Sequence, residues 1–470
     1  MPCIASARLS RRRFLACGAA ATALPLLPAA RPALAATVDF SLTAGPARAP
    51  LAGAGWPDTI VWAYNDRVPG PELRVRQGDT VRVIAGNALA EPTTVHWHGV
   101  RLPIGMDGVP GLTQEPIAPG ESFTYEFKAV DAGTFWYHPH FNSAEQVGRG
   151  LSGALIVEEP EPIRVDRDIA WVLDDWLLRE TGEIAGGFNH PMALSHGGRL
   201  GNTVTVNGTQ VEDFPVRAGE RIRLRLVNVA NARTFSLDFG ALRPRIVALD
   251  GQPVAPFAPP GGRVVLAAAQ RADLVIDMDG RPGDKVTVID GYYRDRDYRL
   301  LDVVYSGEAP LRDSPLDAPI ALPANPVPAP VIDDQAQRQR IVLQGGAMGR
   351  MPDGVDQYLQ QGKYWFLNGK PDMGHGAPPL FEVARGRTCV MTLVNETGWE
   401  HPLHLHGHSF RVLSRNGAPN MRGELLDTVL VAPQESVEIA FVADNPGDWM
   451  FHCHILEHQM AGMSGIVRVA

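Results

Sequence analysis

The sequence predicts an all-β protein built from three consecutive β-sandwich units, and three observations predict it. Glycine and proline are plentiful, 48 and 40 residues, and they punctuate many short runs rich in valine and isoleucine, the pattern of strands joined by turns. The 470 residues suffice for about three domains of roughly 150 residues each, with enough apolar content for full cores. Finally, one pattern of residues recurs three times along the chain.

At the N-terminus, Ser10-Arg11-Arg12-Arg13-Phe14-Leu15 precedes a stretch rich in alanine and leucine, and Ala33-Leu34-Ala35 offers a cleavage site. Residues 1–35 therefore read as a removable export signal, and the paired arginines point to the twin-arginine route and a periplasmic or secreted protein. No later stretch approaches the roughly 18 apolar residues that span a bilayer, so the mature chain is expected to be soluble, with no membrane contact. Removing residues 1–35 takes away five arginines and no acids, which moves the formal net charge from −9 to −14. An acidic body disfavours nucleic acid and anionic membranes as partners, and a monomer is expected. Cys3 and Cys17 leave with the leader, so only Cys389 and Cys453 remain.

The repeat aligns without gaps from Gly78-Asp79-Thr80-Val81, from Gly219-Glu220-Arg221-Ile222 and from Gly386-Arg387-Thr388-Cys389. In each copy an asparagine follows the first glycine by nine residues (Asn87, Asn228, Asn395), and a second glycine follows it by twenty-one (Gly99, Gly240, Gly407). The expected limits are 36–159 for the first unit, 160–309 for the second and 336–470 for the third, with a proline-rich linker at 310–335. Cys389 aligns with Val81 and Ile222, which makes it a small core residue.

The copies differ just before the second glycine. The first has His96 and His98, the third His404 and His406, and the middle one Leu237 and Phe239. A second register matches His138-Pro139-His140 to His452-Cys453-His454, with Val288-Ile289-Asp290 at the middle copy's place. Residues two apart on a strand share a face, so each His-x-His pair sends two imidazoles one way. Eight histidines brought together without a metal would repel when charged and waste hydrogen bonds when neutral.

The stretch His452-Cys453-His454-Ile455-Leu456-Glu457-His458, closed by Met463, adds a thiolate and a thioether. One cysteine, imidazoles and a methionine suit a blue-copper centre better than zinc or iron. By alternation Cys453 faces away from His452 and His454, so one strand can serve two metal sites.

With these motifs the mature chain resembles the three-domain bacterial multicopper oxidases of the laccase type. Four motifs stand in that family's order: His-Trp-His-Gly at 96–99, His-Pro-His at 138–140, His-Pro-Leu-His-Leu-His-Gly at 401–407, and the stretch 452–463. The resemblance implies three cupredoxin-like Greek-key sandwiches and four copper ions per chain. It implies that His401, Cys453, His458 and Met463 hold a type 1 copper, that His96 and His404 hold a type 2 copper, and that His98, His138, His140, His406, His452 and His454 hold a type 3 pair. The implied reaction couples one-electron oxidation of phenols or aromatic amines at the type 1 copper to four-electron reduction of dioxygen to water at the other three. It also implies proton delivery by Asp107, nine residues after His98, and by Glu457.

A rival within enzymes is a periplasmic cuprous oxidase for copper tolerance. Such relatives carry a methionine-rich insert and a methionine two residues before the first type 1 histidine, where this chain has Trp399 and only scattered Met348, Met351 and Met373. A copper-free structural relative is disfavoured because all ten histidines and the cysteine are present. A two-domain nitrite reductase is disfavoured by the repeat count of three. His408 reads as a group behind the ligands or at the surface, and His190, His196 and His375 as isolated loop residues.

Overall fold

The computed structural model describes residues 35–470 apart from Met373 and His375. The expected export signal at 1–35 therefore lies outside the described residues but for Ala35, as do Met373 and His375. The all-β expectation holds: the strands form six sheets, two in each copy of the repeat, with only short helices between them. No described helix is long and apolar enough to cross a membrane.

The repeat fixes the same pairing three times. Val81 pairs with Phe127, Ile222 with Ile276 and Cys389 with Phe441, each in an antiparallel ladder. In every copy the same strand also has a parallel neighbour, Thr37–Ala49, Arg167–Trp176 or Gln337–Gly345. Cys389 is fully buried, and that burial pushes its thiol up to about 12, as expected of a core residue.

The recurring asparagine ends this strand and fastens the loop that follows. Asn87 donates to the carbonyls of Glu91 and Ile117, Asn228 to those of Arg233 and Leu266, and Asn395 to those of Trp399 and Val431. Their side-chain oxygens accept from the backbone of Leu89, Ala230 and Thr397, two residues on. Each loop thereby delivers the next strand in the same place. The second glycine, at φ +80°, +53° and +66° in the three copies, turns the chain after that strand in a conformation costly for other residues.

The middle copy departs slightly from the sequence alignment. Leu237 pairs with Asp290, whereas its counterpart His96 pairs with His138, so Asp290 rather than Val288 stands at the place of His138.

Buried ion pairs tie the middle copy to the first. Arg223 is held by Glu159 and Asp273, and Arg225 donates to Asp168, Asp273 and the Thr134 hydroxyl. Such pairs are poor sources of net stability but specify how surfaces dock, because a misaligned charge would be left buried and alone. Segment 310–335 contains no strand or helix. Asn325 pins it by exchanging hydrogen bonds with Ala132 on both backbone groups and donating to Gln252.

Candidate metal centre

Two sheets carry the histidines. Strand His96–His98 pairs with Gly133–His138 so that His96 lies opposite His138, and His401–Leu405 pairs with Gly447–Cys453 so that His404 lies opposite His452. The first and third copies then interlock ring on ring. His96 stacks on His406 with centroids 4.0 Å apart, and His98 stacks on His404 at 3.8 Å. All eight imidazoles of the four pairs are buried.

Most of these rings use one nitrogen to anchor themselves in the protein. His96 Nδ1 lies 2.7 Å from the Asp107 carbonyl, His98 Nε2 3.0 Å from the Asp427 carboxylate, and His138 Nδ1 3.1 Å from the Pro139 carbonyl. His404 Nδ1 meets the Asp427 carbonyl at 2.8 Å, His406 Nδ1 the Asp107 carboxylate at 2.9 Å, and His452 Nδ1 the Cys453 carbonyl at 2.9 Å. His140 Nδ1 faces the Gln459 amide at 3.4 Å. The other nitrogens have no partner among the described residues: His96 Nε2, His98 Nδ1, His138 Nε2, His140 Nε2, His404 Nε2 and both of His454. His406 Nε2 and His452 Nε2 face one another at 3.0 Å.

Orphaned buried nitrogens are costly, and here they converge. Ligand atoms within 4.8 Å of one another group as His98, His138 and His454, as His140, His406 and His452, and as His96 with His404 and His406. Burial first, then the neighbouring imidazoles, lowers His98, His138, His140, His406, His452 and His454 well below the ordinary histidine range. Neutral rings with free lone pairs fit metal ions, and the anchoring bonds fix the tautomer that presents them.

The other face of the same strand builds a second group. Cys453 Sγ lies 3.5 Å from His401 Nδ1 and 3.7 Å from His458 Nδ1, and the two Nδ1 atoms are 3.1 Å apart. Thr397 holds His401 Nε2 at 2.8 Å, and the His196 carbonyl receives His458 Nε2. Met463 is buried beside them, its backbone bonded to Cys453 and His458 at 3.0 and 2.9 Å. Burial lowers His401 and brings His458 down to about 3, while it pushes the Cys453 thiol far up. A thiol buried this way releases its proton when a cation takes that proton's place at the sulfur, so this donor set fits a soft, redox-active metal.

Asp107 lies in the cage, bonded to His96 and His406 through its carbonyl and carboxylate. Glu457 does not reach any of the eight histidines; its partner is Asn231 at 3.0 Å, and burial raises it to about 7. On the helix Leu456–Met460 the residue facing the cage is Gln459, near His140, because the strand's alternation ends at His454. His408 is buried between Phe441 and Trp449 rather than at the surface, with burial lowering it to about 4. His190 accepts from the Met192 backbone at a helix start. His196 contributes its carbonyl, not its ring, to the site, and that ring packs on Trp399.

The sequence motifs did not mark several residues that hold these histidines. Asp427 and Thr428 grip His98 and His404. Trp136 stacks on His138 at 4.2 Å, and Trp365 lies on His458 at 4.1 Å.

A thiol-centred site backed onto an eight-imidazole cage defines a copper redox protein. Family models described as multicopper oxidase match residues 50–162, 168–296 and 350–470. The chain is 30% identical to the multicopper oxidase mco of Staphylococcus aureus, covering 86% of this chain and 83% of that one. It is 29% identical to the multicopper oxidase MmcO of Mycobacterium tuberculosis over 97% of this chain and 96% of the relative. The crystal structure of a multicopper oxidase from Pseudomonas thermotolerans superposes with a TM-score of 0.83 at 36% identity, over 93% of this chain and all of that one. More distant relatives include proteins named laccase and copper resistance protein. The chain belongs to the multicopper oxidase family.

Proposed function

We propose that this chain is a laccase-like oxidase that couples one-electron oxidation of phenols or aromatic amines to four-electron reduction of dioxygen to water. His401, Cys453, His458 and Met463 hold the type 1 copper, His96 and His404 the type 2 copper, and the triads His98–His138–His454 and His140–His406–His452 one type 3 copper each. When bound, these four ions store the electrons and supply the redox chemistry. The reading also takes residues 36–159, 160–309 and 336–470 as the three domains, 310–335 as linker, and the exported compartment as the place of action.

The observation that carries the proposal is the backbone at 452–454. Cys453 faces one donor set while His452 and His454 belong to the other, so one short covalent path joins the two. Asp107 touches both His96 and His406, which supports giving it the role of proton donor to the oxygen site. Glu457 sits farther out, its Oε2 unpartnered, as a second carrier of protons. Around His458 the protein excludes solvent: Trp365 covers the ring and the segment ending at His196 caps its outer nitrogen. A donor would therefore meet this cover rather than the His458 ring itself.

The cuprous reading keeps one supporting observation. Met192 and Met348 are 57% and 81% exposed, and they stand on segments joined by the Ala347-to-Ser195 backbone bond against that cover. Thioethers suit Cu(I). Oxygen uptake with a phenol compared with uptake on Cu(I) decides: the proposal expects the phenol to be the better donor, and a large preference for Cu(I) reverses the order.

A further inference from the structure

The middle copy supplies none of the histidines, yet its side chains reach the residues that hold them, Arg271 foremost. Arg271 begins strand Arg271–Asp277 and is fully buried. Its guanidinium grips Asp427 with two parallel bonds, Nη1 to Oδ1 at 2.9 Å and Nη2 to Oδ2. Two further donors are used as well, Nε on the Thr134 carbonyl at 3.1 Å and Nη1 on the Ala269 carbonyl at 3.2 Å. Asp250, also from the middle copy, accepts the Arg271 amide at 3.0 Å and the amides of Asp427 and Thr428 at 3.3 and 3.1 Å.

What Arg271 holds is itself a two-sided grip. Asp427 Oδ1 meets His98 Nε2 at 3.0 Å and its carbonyl meets His404 Nδ1 at 2.8 Å, while the Thr428 hydroxyl lies 3.2 Å from both rings. His98 belongs to the first copy and His404 to the third. Their bonded nitrogens face Asp427 and Thr428, and the opposite ones, His98 Nδ1 and His404 Nε2, are left free.

We propose that Arg271 is a positioning residue for the trinuclear site, acting through Asp427 to fix the ring orientation and tautomer of His98 and His404. The middle domain thus sets the geometry of a cluster to which it gives no ligand. A planar guanidinium can do this because its forked donors match a carboxylate in one orientation, which an ammonium cannot impose. Gly99 supports the assignment independently. A Cβ there would overlap Arg271 Nη2 and Asp427 Oδ2, so the glycine of His-Trp-His-Gly leaves room for the clamp.

The inference rests on the copper reading of the cage, and the test separates the two. Parent, Arg271→Lys and Arg271→Met are loaded with copper and titrated with a chelator, while the type 2 electron paramagnetic resonance signal and the blue absorbance are followed together. Arg271→Lys keeps charge and bulk if Arg271→Met fails to fold. We expect the type 2 copper of Arg271→Lys to be released at about 10- to 100-fold lower chelator concentration, with altered hyperfine splitting and unchanged blue absorbance. Asp427→Asn should give the same signature, and the double variant should be no worse than either single one. Parent-like type 2 affinity and signal in Arg271→Lys overturns the proposal. So does parallel loss of type 1 and type 2 copper, which makes Arg271 a general brace between domains. A parent chain without any type 2 signal refutes the copper reading itself, and this inference with it.

Discussion

Replacing His454 by leucine should stabilise the copper-free protein. His454 is buried, and neither of its ring nitrogens has a partner. A neutral imidazole presents one donor and one acceptor, and each buried without a bond costs about 1–3 kcal/mol. The copper-free chain therefore carries about 2–6 kcal/mol of strain at this position. Leucine removes both groups and loses some packing, at a cost of about 1–2 kcal/mol for the volume not refilled. The net expectation is a gain of about 0–5 kcal/mol. Copper reverses the order, because the parent gains binding free energy that a chain lacking one of the His98–His138–His454 ligands cannot. The assay is the thermal midpoint of parent and His454→Leu, with excess chelator and with copper, alongside copper content per chain. His404→Leu serves as the contrast, since it leaves the Asp427 carbonyl without its 2.8 Å partner and should destabilise the copper-free state. A copper-free His454→Leu less stable than the parent would refute the reasoning that the cage is a preformed set of unsatisfied ligands.

Three further outcomes are expected. Asp107→Asn keeps the shape of the side chain that holds His406 but cannot take up and release a proton, so oxygen uptake should fall about 10- to 100-fold. Anaerobic bleaching of the blue band by a phenol should keep its rate; uptake at the parent rate contradicts the role given to Asp107. Met463→Leu removes the thioether beside Cys453 and should raise the type 1 potential in a redox titration while the colour persists. Asp174 is buried, and burial first, then Asp175, holds its carboxyl well above the usual range. Folding therefore keeps a proton on it, and the associated stability is full below about pH 3.9 and is lost as pH rises through that value toward the folded pKa. Asp174→Asn, which cannot ionise, should match the parent in urea midpoint at low pH and exceed it at pH 7, and a constant difference across pH would contradict this.

The converging histidine pairs were legible because each motif is local: a strand repeats every two residues, so His-x-His states its own geometry. The threefold pattern was legible because its glycines and asparagines recur at fixed spacing within each copy. What stayed hidden is nonlocal. Asp427 meets His98 across 329 positions of sequence, and Arg271 meets Asp427 across 156. Neither has a motif, because tertiary packing alone brings them together. The His196 carbonyl over His458 is a backbone contact, which any residue type could make. Glu457 was placed by its neighbours in sequence, but the chain enters a helix at Leu456, and the turn aims Glu457 at Asn231 and Gln459 at the cage.

The central claim is that Cys453 joins two copper sites by standing between two ligands of the other. Its most direct test is the absorbance spectrum of the copper-loaded chain beside that of Cys453→Ser, with copper and oxygen uptake measured on both. The account predicts an intense thiolate-to-copper band in the parent. In the variant that band and the oxygen uptake should both be gone, while the copper held by the eight histidines remains. A parent without the band, or a variant that still reduces oxygen at the parent rate, would contradict it.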